Sequence, residues 1–180
     1  MHITKLVALV AALGASTISA GPSPKKTFKD FDEIGSLSTK VQRAIERMPV
    51  LGYDASSVHD LFSATNRLVN GISEINKVNA HVQAEDFDDQ KKVDICRFVH
   101  RTRYIQGSLI KRLGDQAERI SQFPLTPHIG NLVGIYDVEM FKFLDEVNSR
   151  LNNCSDDYKQ RLEEAIKTAR AQYTATEPKV

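Results

Sequence analysis

The chain has 180 residues, 41% hydrophobic and 26% charged, with 24 Lys and Arg against 23 Asp and Glu and a formal net charge of +1 at pH 7. That length is one domain's worth and suffices for a real core without many covalent staples. The balance of charge supplies no overall field to draw the molecule to nucleic acid or to an anionic membrane, so neither is an expected partner.

Residues 1–20 have the layout of a cleaved secretory signal peptide. His2 and Lys5 precede the apolar run Leu6 to Leu13, and small residues then lead to Ser19-Ala20 ahead of Gly21-Pro22. The mature protein is expected to begin near Gly21, and loss of Lys5 with the leader brings basic and acidic residues level. The apolar run is shorter than the roughly 20 residues a spanning helix needs, and no later stretch approaches that length, so no integral membrane segment is expected. The polar end Glu177-Pro178-Lys179-Val180 lacks the hydrophobic tail of a lipid-anchor signal, which predicts release into the medium or the cell wall.

Residues 21–35 carry prolines and mixed charge and read as a loose leader, anchored by Phe28, Phe31 and Ile34. The bundle domain proper is expected over 36–175. Leu37, Val41, Ala44, Ile45 and Met48 recur at three- and four-residue spacings, predicting a short helix from Ser36 to Met48, stopped by Pro49 and Gly52. Ser56 or Ser57 can cap a second helix, with the stripe Val58, Leu61, Phe62, Thr65, Leu68, Val69, Ile72, Ile75 and Val82, ending near Ala84. Asp86 and Asp88 favour the start of a third, whose stripe from Ile95 through Val99, Thr102, Gln106, Leu109 and Leu113 to Ile120 makes it the longest, bent at Gly107 or Gly114. Pro124 and Pro127 break the chain before a fourth helix marked by Ile129, Leu132, Tyr136, Met140, Phe143, Val147 and Leu151. Ser155 caps a fifth, with Tyr158, Leu162, Ile166, Ala169 and Tyr173 on its apolar side. Nothing alternates with period two. The predicted fold is all-α, an up-and-down antiparallel bundle of four to five helices in which short connections make consecutive helices neighbours.

Cys96 and Cys154 are the only cysteines, and an even pair in an exported chain is expected to form a disulfide. They are equidistant in sequence from Leu125, so a hairpin of the third and fourth helices would bring them to one level. Asn153-Cys154-Ser155 is a candidate N-glycosylation site at Asn153, in competition with that bridge.

The chain has no nucleophile elbow, zinc-binding helix, phosphate-binding glycine loop or cysteine pair at metal spacing, so neither enzymatic activity nor a metal or cofactor is expected. His59 with Asp60 and His81 with Glu85 are the nearest acid/base couples and read as solvated helical neighbours. Arg97, His100, Arg101 and Arg103, with Lys111 and Arg112, read as the wet face of the third helix. More informative is polar matter within the apolar stripes. Hairpin register places Thr65 level with Thr102 and Gln106, three polar side chains that can satisfy one another, bind water or present donors to the head of a ligand between the helices. Around them, Leu61, Phe62, Leu68, Phe98, Leu109, Met140 and Phe143, with Tyr136, form core or the lining of a deformable apolar cavity.

The segment Val58 to Phe62 (V-H-D-L-F) opening a long helix, the stretch Ile105 to Leu113 (I-x-x-x-L-I-K-R-L) and the breaker and helix of Phe123 to Leu151 carry a resemblance. In these, and in size and helix order over Leu37 to Tyr173, the chain resembles the fungal hydrophobic surface binding protein A family, also described as cell wall galactomannoproteins. The resemblance implies a non-enzymatic secreted helical protein that adsorbs to hydrophobic surfaces or holds fatty acids, at the cell wall or as a factor acting on a host. It offers no catalytic residues. The competing expectation is a secreted helical interaction module, an effector or enzyme inhibitor with a host or cell wall protein as partner. Plant invertase and pectin methylesterase inhibitors are bundles of this size but carry an N-terminal cysteine pair absent here.

Overall fold

A computed structural model describes residues 22–49, 54–81, 87–151, 154 and 157–176. The expected leader of residues 1–20, Asn153 and the Ser155 cap lie outside these residues. The helices are α1 (Pro24–Arg47), α2 (Ala55–Asn79), α3 (Asp89–Gly114), α4 (Thr126–Ser149) and α5 (Asp157–Ala175), with no strand among the described residues. The protein is an all-α bundle.

Local chemistry fixes where the helices begin. Ser23 caps α1, accepting from the Lys26 N–H, and Pro24 occupies the first turn, where its missing N–H costs nothing. Residues 24–35 are therefore helix rather than loose leader. Phe31 and Ile34 prolong the buried stripe of Val41 and Ile45 backwards, and burying them stabilises the extra turns. Asp54, not Ser56 or Ser57, caps α2: its carboxylate accepts from the Ser57 N–H at 2.7 Å and from the Ser57 hydroxyl at 2.8 Å. This pair of hydrogen bonds holds the Asp54 carboxyl below its usual range. Asp88 caps α3 through the Lys91 N–H at 2.8 Å.

The third helix is shorter than its apolar periodicity predicts. It stops at Gly114, and residues 115–125 run on as successive turns that keep Ala117 and Ile120 fully buried. The reason is a close crossing with α5. A Cβ at position 114 would lie 2.8 Å from the Ala169 Cα, so only glycine fits, and glycine also weakens the helix there.

Consecutive helices alternate in direction, and α1/α2 and α4/α5 are the neighbours expected, but α2/α3 and α3/α4 are not. Around the bundle the order is α1, α2, α4, α5, α3 and back to α1; α3 and α4 meet only slightly, and α2 and α3 hardly touch. Parallel pairs result. Phe31 meets Phe98 and Ser38 meets Gln106 along α1 and α3, while Phe62 meets His128 along α2 and α4. The Cys96–Cys154 disulfide has a Cα–Cα distance of 5.7 Å and spans 58 residues. It forms because Cys154 leads into α5, which runs parallel beside α3, not because α3 and α4 form a hairpin.

Candidate functional site

Between α1 and the parallel α3 lies a groove of about 470 Å³. Its α1 wall repeats at three and four residues through Phe31, Gly35, Ser38, Thr39 and Gln42; its α3 wall is Phe98, Arg101, Thr102, Ile105 and Leu109. That spacing places each set on one helical face. Gly35 opens the groove, since a Cβ there would meet nothing within 4 Å. At the end toward the start of α1, Phe98 packs on Phe28 with ring centroids 5.1 Å apart, and Phe31 packs on Phe143 at 5.0 Å, so an aromatic cluster closes that side.

The floor is polar. The Gln106 amide donates to Ser38 Oγ at 2.7 Å, the Ser38 hydroxyl donates to the Ile34 carbonyl at 2.7 Å, and the Tyr136 hydroxyl on α4 donates to Gln106 Oε1 at 3.0 Å. All three side chains are 3% exposed or less. Burial pushes the Tyr136 hydroxyl well above its usual ionisation range, so it stays a neutral donor. Arg101 and Asp32 lie exposed at the rim, one charge of each sign.

The structure distributes the residues singled out in the sequence over three places. Phe98, Thr102 and Leu109 line the groove, and Gln106 and Tyr136 lie behind it, linked to its lining through Ser38. Thr65 is not part of this layer: its hydroxyl donates to the Leu61 carbonyl of its own helix at 2.8 Å, because α2 is not beside α3. Leu61, Leu68, Met140 and Phe143 are packed core at 0–1% exposure, and Phe62 packs edge-on against His128 on another side of the bundle, 6.4 Å between ring centroids. Sequence reasoning missed Phe31, Gly35, Ser38 and Ile105. Ser38 carried the same signal as Gln106, a polar side chain inside an apolar stripe between Ile34 and Val41. Arg103 is likewise not on the wet face; its spacing from Val99 and Gln106 turns it inward, and it is 1% exposed.

Cys96 Sγ lies 3.5 Å from His100 Nε2, and the ligand atoms of Cys96, His100 and Cys154 fall within 4.8 Å of one another. With the two sulfurs bonded to each other, neither offers the thiolate a metal would need.

Fold and site together define an all-helical bundle with a lateral groove that mixes apolar and polar side chains and is backed by a buried polar chain. No protein-family model matches the chain, and no curated protein matches it. Among solved structures, ligand-binding domain 2 of the Penicillium marneffei MP1 protein, in complex with arachidonic acids, is similar with a TM-score of 0.70 at 16% sequence identity, covering 86% of this chain and 96% of that one. The same domain complexed with multiple arachidonic acids gives a TM-score of 0.66, again at 16% identity and the same coverage. At that identity the likeness establishes a common fold.

Proposed function

We propose that this protein is a secreted, non-enzymatic binding protein for a fatty acid or a related long-chain ligand, acting at the fungal cell wall or outside the cell. The observation that carries the reading is the α1/α3 groove above the Ser38–Gln106–Tyr136 chain. Its volume falls within the range of small-molecule sites, and such sites combine apolar walls with a few fixed polar groups. Phe31, Phe98, Ile105 and Leu109 take the hydrocarbon. Thr102 offers a hydroxyl within the lining, and Arg101 at the rim supplies a countercharge for a carboxylate. The common fold with a domain solved in complex with arachidonic acids supports this reading, as does the resemblance to the hydrophobic surface binding proteins. The signal-peptide layout of residues 1–20 supports export.

The test is extraction of the purified secreted protein with organic solvent, identification of any co-purified lipid by mass spectrometry, and titration of the delipidated protein with oleic acid. A stoichiometric lipid, regained on titration, is the expected result. Neither a co-purified lipid nor saturable rebinding would overturn it and leave a protein partner as the reading to pursue.

A further inference from the structure

The level overall charge hides a local segregation. Lys40, Arg43 and Arg47 stand at i, i+3 and i+7 on α1, a single helical face. Opposite them on the antiparallel α2, Ser57, Asp60, Ser63 and Arg67 repeat in the same way, and the two faces enclose a concavity of about 350 Å³. Four cations thus converge on one hollow with a single carboxylate, Asp60, in its lining. None of the four makes an ion pair among the described residues, nor does Asp60. The nearest other acid on α1, Glu46, is drawn away: it accepts from Gln42 at 2.8 Å and pairs with Arg112 of α3 at 3.4 Å. Arg43 contributes only a weaker attraction to it.

Like charges held together repel one another, and several exposed cations elsewhere in this protein lie beside acids, as in Lys77–Glu74, Lys91–Asp88 and Arg170–Asp137. The α1/α2 hollow instead gathers four cations around one carboxylate. We infer that it is a phosphate-binding site, taking a multiply charged phosphate either free or as the headgroup of an anionic lipid. Three of the four cations are arginine, whose planar fork matches phosphate oxygens two at a time, and the Ser63 hydroxyl lies within the same lining. A lone carboxylate would engage only part of such a set, whereas a phosphate offers more oxygens and more charge. The site is distinct from the α1/α3 groove and uses the opposite flank of α1.

The experiment uses the mature protein and two probes. One is inorganic pyrophosphate, followed by calorimetry; the other is phosphatidylcholine vesicles containing phosphatidic acid, followed by co-sedimentation, both near physiological salt. The double variant Arg43→Gln/Arg67→Gln is compared with Lys25→Gln/Lys111→Gln, which removes the same charge from exposed positions elsewhere. Saturable pyrophosphate binding that falls at least tenfold in the first variant and less than twofold in the second supports a site for free phosphate. Vesicle binding with the same dependence, without pyrophosphate binding, supports the headgroup. Binding of neither probe, or equal loss in both double variants, overturns the inference. Thermal unfolding followed by circular dichroism checks that each variant folds, and Lys40→Gln/Arg47→Gln replaces the first pair if it does not.

Discussion

Gln106 Nε2 donates to Ser38 Oγ at 2.7 Å, tying together two residues 68 apart and fixing the relative level of α1 and α3. With Tyr136 below, the hydrogen bonds run in one sense, from phenol to amide to hydroxyl to the Ile34 carbonyl. A chain of this kind is favourable while complete and costly once interrupted, because each buried member has given up its water.

Replacing Gln106 with Leu interrupts it at the centre. The Tyr136 hydroxyl, 1% exposed, loses its acceptor, and the cost of leaving that buried group unsatisfied outweighs the apolar area gained. The expected destabilisation is about 1–3 kcal/mol in urea unfolding. Oleic acid affinity should fall together with it. Unchanged affinity and stoichiometry would remove the polar floor from the binding role while leaving its structural one.

Gly35→Leu separates binding from stability in the opposite direction. Position 35 is inside α1 and faces open space, so a side chain there meets no clash and improves helix propensity by about 0.5–1 kcal/mol. The same side chain fills the groove between Phe31 and Ser38. A rise in Tm with at least a tenfold loss of oleic acid affinity is expected. A rise in Tm with full affinity would place the ligand elsewhere.

Helix type and phase were legible in the sequence because apolar spacing reports which face of each segment is buried, and Phe98, Thr102, Gln106 and Leu109 follow from the phase of α3 alone. Which helices lie side by side was not legible. Periodicity along one helix carries no information about its partner, and connection length predicts adjacency only when the hairpin closes directly. Here α3 follows α2 in the chain but packs against α1 and α5, so Gln106 meets Ser38 instead of Thr65. The disulfide was predicted on a hairpin register the fold does not use; compartment chemistry was the sounder ground. The start of α1 was hidden because Pro24 and a run of charge mask a stripe made of only Phe28, Phe31 and Ile34.

The crossing of α3 and α5 yields a sharp steric prediction. In Gly114→Ala the new methyl would lie 2.8 Å from the Ala169 Cα and would also meet the Gln172 side chain. Helix propensity favours alanine by about 1 kcal/mol in a helix interior, but position 114 ends its helix and backbone cannot yield as a side-chain tip can. Overpacking wins, with about 1–3 kcal/mol lost in denaturant unfolding. Wild-type stability in this variant would mean that the two helices separate at no cost.

Closing a loop of 58 residues should stabilise the fold by about 4 kcal/mol in the chain-entropy account. Cys96→Ser/Cys154→Ser is expected to lower the unfolding midpoint accordingly while keeping the helical circular dichroism, since Ile95 and Val99 of α3 and Leu162 and Ile166 of α5 belong to one continuous apolar core. Reduction of the wild type should reproduce the shift. A double variant as stable as the oxidised protein would show that the bridge constrains nothing the packing does not already hold.

Glu146 sets a pH dependence whose sign follows from its surroundings. Desolvation raises its carboxyl above the ordinary 4.5, and Asp30 adds to the rise, while Arg150, Lys142 and Lys26 oppose it; Oε1 is buried with no hydrogen-bond partner among the described residues. An acid whose pKa is raised on folding keeps its proton in the native state after the unfolded chain has released it. Its contribution to stability is therefore intact below 4.5 and declines as pH climbs from there through the raised native value. Glu146→Gln removes the ionisation without changing the shape. The variant should match wild type in acid and exceed it at neutral pH, measured as urea unfolding midpoints across that range. A variant less stable than wild type at neutral pH would mean that the attraction of Arg150, Lys142 and Lys26 outweighs burial at this end of the bundle.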